Sequence, residues 1–139
     1  MADENESKYK ILVVDDDADI LTTMSLALGD LNQTVLTATD GMAALELAEQ
    51  EDPDILVLDL MLPRRGGFQV LQRLKGKPTM KDKRPLVCMV TGNEGMRHQT
   101  FAEQNGVDEY LRKPFAISNL VEIVQGFMEK LDAGIEDAK

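Results

Sequence analysis

Two apolar runs, Ile11-Leu12-Val13-Val14 and Ile55-Leu56-Val57-Leu58, each break off at carboxylates: Asp15-Asp16-Asp17 after the first and Asp59 after the second. Neither run alternates apolar with polar residues. That is the pattern of strands covered on both faces, as in a parallel sheet with helices above and below. Three further runs, residues 34–38, 86–90 and the shorter Tyr110-Leu111, have the same strand-sized character. Carboxylates that end neighbouring buried strands converge at one edge of such a sheet, so the acids constrain both the fold and its chemistry.

Segments of helical period separate the runs. Ile20, Met24, Ala27 and Leu31 form one stripe, with Gly29 as its stop or bend, and Leu45, Leu47 and Ala48 form another behind Asp40-Gly41. Phe68, Leu71 and Leu74 mark a third helix, closed by Gly76-Lys77-Pro78 and followed by a charged loop over 79–84. A fourth, over about 94–104, is anchored only by Met96, Phe101 and Ala102, which makes it the expected mobile element. The last is the clearest: Ile117, Leu120, Val121, Val124, Phe127, Met128 and Leu131 share one face, with Ser118 as candidate N-cap. Strand and helix alternating five times predict a doubly wound α/β domain that binds ligands beyond the carboxyl ends of its strands. That rule gathers Asp15, Asp16, Asp59, Thr91 and the residues after Leu111 at one rim.

Composition narrows the function. The 139 residues suit a single domain, here divided into an acidic flexible start at 1–8, a folded body at 9–131 and a frayed acidic tail at 132–139. At 43% hydrophobic and 29% charged the chain is an ordinary globular protein. Its apolar runs are far short of a membrane span, and its acidic start is unlike a secretory signal, so a cytoplasmic address is expected and no membrane partner. A net charge of −10 without Lys/Arg clusters argues against direct nucleic-acid binding. Cys88 is the single cysteine; it excludes an intrachain disulfide and reads as a small buried hydrophobe. His98, the lone histidine, falls on the polar fourth helix as a solvated residue.

Acids at strand ends commonly cap the following helix, and Asp17 is assigned that role. Asp15, Asp16 and Asp59 pose a different problem, because two unit charges about 4 Å apart repel by roughly 4 kcal/mol at an effective dielectric near 20. A divalent cation removes the penalty, and an all-oxygen site with few protein ligands suits Mg²⁺. Lys113, followed by Pro114, would set an ammonium near these acids, and Thr91-Gly92 would add a hydroxyl and open backbone. Cation, ammonium and hydroxyl around one carboxylate would hold a phosphoryl group.

The segments Val13-Val14-Asp15-Asp16, Asp59-Leu60-Met61-Leu62-Pro63 with Gly67, Val90-Thr91-Gly92 and Tyr110-Leu111-Arg112-Lys113-Pro114-Phe115 together resemble the signature of response-regulator receiver domains, over residues 9–131. The resemblance implies a flavodoxin-like, five-stranded parallel sheet of order 2-1-3-4-5 with five helices. It implies Asp59 as phosphoacceptor, taking the group from a sensor histidine kinase, a phosphotransfer protein or a small donor. Asp15, Asp16, Asp59 and the Met61 carbonyl would hold Mg²⁺, Asp15 mostly through water, and Lys113 would pair with the phosphoryl oxygens. Thr91 and Tyr110 would act as the switch, altering the face of the fourth helix, fifth strand and last helix for a downstream protein target. The chain would then be a stand-alone regulator, monomeric or dimerising on phosphorylation, and an enzyme only toward its own phosphorylation and dephosphorylation.

Reversing a two-state ratio from 1:99 to 99:1 takes roughly 5.5 kcal/mol. One charge-assisted hydrogen bond gives about 1.5 to 3 kcal/mol, so Thr91 needs help from Lys113, Tyr110 or a partner. Arg64-Arg65 before Gly66-Gly67 depart from the family's usual acid or Asn; they read first as solvated loop charges and second as a contact for an acidic donor or partner. A Mg²⁺-dependent haloacid-dehalogenase-type phosphatase would want a second Asp at position 61, which is Met. A flavodoxin-like electron carrier would want a phosphate-binding loop where the three acids stand. An unphosphorylated scaffold would not need the full set of acids, Thr91 and Lys113.

Overall fold

The computed structural model describes residues 8–59, 67–75, 85–92 and 107–137. Five strands, β1 (Lys10–Val14), β2 (Thr34–Ala38), β3 (Ile55–Asp59), β4 (Leu86–Thr91) and β5 (Glu109–Arg112), form one parallel sheet of order β2-β1-β3-β4-β5. The helices among the described residues are α1 (Ala18–Gly29), α2 (Gly41–Glu51), α3 (Gly67–Lys75) and α4 (Ile117–Asp137). The order and the parallel pairing are those expected. The helix expected over 94–104 lies outside the described residues, as do Met61, Arg64, Arg65 and His98.

The unbroken apolar runs follow from burial on both faces. Ile11, Val13, Ile55, Val57, Leu86, Cys88 and Val90 enter one core with Leu21, Met24 and Leu28 of α1 and Leu120, Val124 and Phe127 of α4. Leu12, Val14, Leu56, Leu58, Val87 and Met89 enter the other with Ala44, Leu45 and Ala48 of α2 and Val70, Leu71 and Leu74 of α3. Successive strand residues point to opposite faces, so both parities must be apolar when both faces are covered.

Helix ends explain where the chain turns back. Asp17, in extended conformation, caps α1 by accepting from the Asp19 and Ile20 backbone N–H groups, and Asp40 caps α2 by accepting from Ala43 N–H at 2.8 Å. Asp52 closes α2 in the left-handed region at φ 53°, its N–H bonded to the Ala48 carbonyl.

Three expectations need correcting. The inward line of α1 is Leu21, Met24 and Leu28, while Ile20 and Leu31 are only partly buried; both lines are apolar and share Met24, and the one with two leucines turns inward. Ser118 is not the cap of the last helix, because α4 already begins at Ile117 and the Asn119 N–H bonds the Ala116 carbonyl. Nor does order stop at Leu131: α4 continues to Asp137, with Asp132 bound by Lys8 and Tyr9. No helix among the described residues is long and apolar enough to cross a membrane.

Candidate functional site

The pairing of β1 with β3, Val14 beside Leu58, puts the residue after Val14 level with Asp59. Asp15 and Asp59 are therefore both buried, at 0% and 4% exposure, while Asp16 is exposed. One carboxylate oxygen from each of Asp15, Asp16 and Asp59 lies within 4.8 Å of the others. Such crowding of buried acids needs positive charge.

Lys113 supplies part of it. This lysine follows β5, and its Nζ lies 3.0 Å from Asp15 Oδ2 and 3.5 Å from Asp59 Oδ2. Burial opposes the ammonium, but the Asp15 and Asp59 carboxylates outweigh that effect and hold its pKa above the ordinary lysine value. The Asp15 backbone is fixed by its N–H donating to the Ala38 carbonyl at 3.2 Å, and Asp15 Oδ1 accepts from the Asp17 N–H at 2.9 Å. Asp15 Oδ2 is different: it is shielded from solvent and among the described residues makes no well-directed hydrogen bond, despite the nearby ammonium. The Lys113 contact is thus charge pairing with poor directionality, and it leaves a lone pair of Oδ2 unused. Three hard carboxylate ligands, one with an unused lone pair, fit a small divalent cation such as Mg²⁺ or its bound water.

Thr91 ends β4, paired with Arg112 of β5, so its backbone reaches the same rim. Gly92 follows and is exposed, and among the described residues a Cβ built there would meet the Lys113 stem, Cβ and Cδ, each at 4.0 Å. Tyr110, on β5 beside Met89, is partly buried against the α2/α3 core. Its hydroxyl is shielded from solvent and has no hydrogen-bond partner among the described residues. Burial pushes the phenol pKa up, with the Arg112 charge opposing.

A feature that the sequence did not suggest adjoins Lys113. A groove of about 510 Å³ runs between α1 and the start of α4, flanked by Asp19, Ile20, Thr23, Phe115 and Ile117. Its only sequence signal was Ile20, read as core but only partly buried.

A five-stranded sheet of order 2-1-3-4-5, with paired acids after β1, an acid ending β3 and a lysine after β5, restricts the choice of family. The family model described as the response regulator receiver domain matches residues 11–125. The chain belongs to that family. Among curated relatives, the receiver is 37% identical over 107 residues to the alkaline phosphatase synthesis transcriptional regulatory protein PhoP of Bacillus subtilis, covering 77% of this chain and 43% of that protein. It is 35% identical over 130 residues to the DNA-binding dual master transcriptional regulator RpaA of Synechocystis, covering 94% and 53%. The chain thus spans about half the length of the curated relatives it matches. Among solved structures, a CheY-like response regulator receiver domain protein from Methanospirillum hungatei superposes with TM-score 0.79 at 30% identity, covering 94% of this chain and 99% of that one. The Francisella response regulator 1452 receiver domain gives 0.81 at 26% identity, covering 89% and 99%. Receivers of this family typically bind Mg²⁺ in an acidic pocket, and Asp15, Asp16 and Asp59 form an acidic cluster here.

Proposed function

We propose that Asp59 is the phosphoryl acceptor of this receiver, and that its phosphorylation controls a protein partner. The observation that carries the reading is the buried Asp59 carboxylate at the end of β3, with Lys113 Nζ 3.5 Å away and Asp15 and Asp16 beside it. An Asp59 oxygen attacks the phosphorus of a donor phosphohistidine or of a small acyl phosphate. The new O–P bond makes an aspartyl phosphate, and the old bond breaks to release the donor's imidazole, which takes a proton, or its carboxylate. Lys113 neutralises the oxygens of the transferring group, with Gly92 adding no side chain beside its stem. Asp15, Asp16 and Asp59 would hold Mg²⁺, which neutralises charge on the phosphoryl oxygens when bound. Positioning and charge neutralisation account for most of such catalysis, so few side chains are required.

The groove beside Lys113 flanks the path by which a kinase or phosphotransfer protein would reach Asp59. After transfer, the added charge of about −1.5 to −2 draws Thr91 toward the phosphoryl group. Tyr110, whose hydroxyl has no hydrogen-bond partner among the described residues, then repacks with β5 and changes the surface next to α4. The net charge of −10 supports a protein target rather than direct contact of this domain with nucleic acid.

Intact-mass measurement after incubation with acetyl phosphate and Mg²⁺ tests the acceptor. Wild type should gain one phosphoryl group, Asp59→Asn none, and EDTA should prevent the gain. No addition to wild type, or the same addition to Asp59→Asn, overturns the assignment.

A further inference from the structure

At the end of the sheet remote from the carboxylates, three segments distant in sequence meet at one side-chain cluster. Tyr9, 3% exposed, immediately precedes β1, and its hydroxyl donates to Asp132 Oδ1 on α4. The same oxygen lies 2.9 Å from Lys8 Nζ, and that ammonium stands 5.7 Å from the Tyr9 ring centre. The third segment is the loop from α1 to β2. Gln33 Oε1 accepts from both the Lys8 and Tyr9 N–H groups, at 3.0 and 2.7 Å, and Gln33 Nε2 donates to the Leu31 carbonyl at 3.1 Å. The loop can present Gln33 this way because Asn32 adopts a left-handed conformation, φ 62°, which asparagine tolerates better than most residues. The Thr34 N–H, donating to the Tyr9 carbonyl, then starts the β1–β2 ladder.

The arrangement absorbs two features that the phosphoacceptor reading leaves aside: the connection over 30–33 and the continuation of α4 beyond Leu131. Among the described residues Leu131 is the last of α4 to enter the core, and the next residue, Asp132, is an acid with two partners across the fold.

We propose that Tyr9, Lys8, Gln33 and Asp132 form a latch that joins the lead-in to β1, the α1–β2 loop and the C-terminal turns of α4 into one opening unit. The cluster lies at the far end of β1 from Asp15, roughly 16 Å of strand away. Release therefore frees the end of α4, an element next to the surface proposed to switch, without disturbing the carboxylate rim. Most of the hold belongs to the tyrosine link, whose ring is buried although the carboxylate that accepts from it is partly exposed. The Lys8–Asp132 pair, with side chains 60% and 46% exposed, contributes less because water and salt screen it. The latch stands or falls independently of the acceptor assignment.

Amide hydrogen exchange on the full chain tests it. Tyr9→Phe keeps the ring in the core and removes only the hydroxyl. It should speed exchange over residues 128–133 about tenfold or more, as loss of a hydrogen bond to a charged group implies. Exchange over 31–34 should rise with it, while 11–14 and 55–58 hold their wild-type rates. Asp132→Ala should reproduce the effect, and Lys8→Ala should give only about a two- to threefold change. Unchanged exchange at 128–133 in both Tyr9→Phe and Asp132→Ala overturns the latch. So does acceleration there with 31–34 unmoved, or equal acceleration along the whole chain. Acetyl phosphate labelling of the same samples keeps the two proposals apart: absence of label in wild type counts against Asp59 as acceptor and says nothing for or against the latch.

Discussion

Lys113 keeps its charge in a partly buried place because two carboxylates face it, and that has a consequence for pH. Its folded-state pKa lies above the ordinary 10.5, so the ion pairing adds stability that is fully present below the unfolded value and is lost as pH rises through the folded one. The stability difference between wild type and Lys113→Met, read from urea midpoints, should therefore shrink in the alkaline range above about pH 10.5. Constancy of that difference up to the alkaline limit would contradict the assignment. Cys88 behaves in the opposite sense: burial, helped by the Glu109 charge, pushes its thiol up to about 12. A thiol reagent at neutral pH should leave Cys88 unmodified until the protein is unfolded in urea. Both side chains were legible in the sequence, Cys88 from its apolar run and Lys113 from its place after a short strand. The solvent-shielded oxygens of Asp15 and Tyr110 were not, since shielding depends on neighbours brought from other strands.

Among the elements, α2 is bounded by two aspartates of opposite function. Asp40 accepts the Ala43 N–H at its start, and Asp52 turns left-handed at its end. Asp40→Ala should destabilise the protein by about 1 kcal/mol, the usual worth of an N-cap, measured by the shift of the urea midpoint. Asp52→Gly should be neutral or stabilising by up to about 1 kcal/mol, because glycine takes positive φ without steric penalty, whereas Asp52→Val should destabilise. Equal losses for Asp52→Gly and Asp52→Val would refute that account. Elements with strong periodicity or a capping aspartate were readable in advance. Boundaries set by distant partners were not: α4 runs past its apolar stripe to where Asp132 meets Tyr9, and no local pattern marks a residue 123 positions away as its partner. The misread line of α1 has a similar cause, since choosing between two adjacent apolar lines depends on what α4 presents to them.

For the whole molecule, the sheet is a partition. Phe127, Leu120 and Met24 lie on one side with α1 and α4, and Leu71, Leu45 and Val70 lie on the other with α2 and α3. Phe127→Ala should cost about 3–5 kcal/mol and Leu71→Ala about 2–5 kcal/mol. The two share no cavity, so their effects on unfolding free energy should add to within about 0.5 kcal/mol. Shortfalls larger than that in the double variant would mean that the strands transmit repacking across the sheet. Doubly wound topology was legible from the runs because only two-sided cover makes both parities of a strand apolar. Which helix serves which side was not, for the periodicity of a helix gives its inward face without saying toward which layer. The same partition bears on how such a chain can change over generations: one layer can accumulate new packing to suit a new neighbour while the other keeps its old solution. Asp59 ends the central strand that both layers clasp, so a change of packing in either one reaches it only through β3.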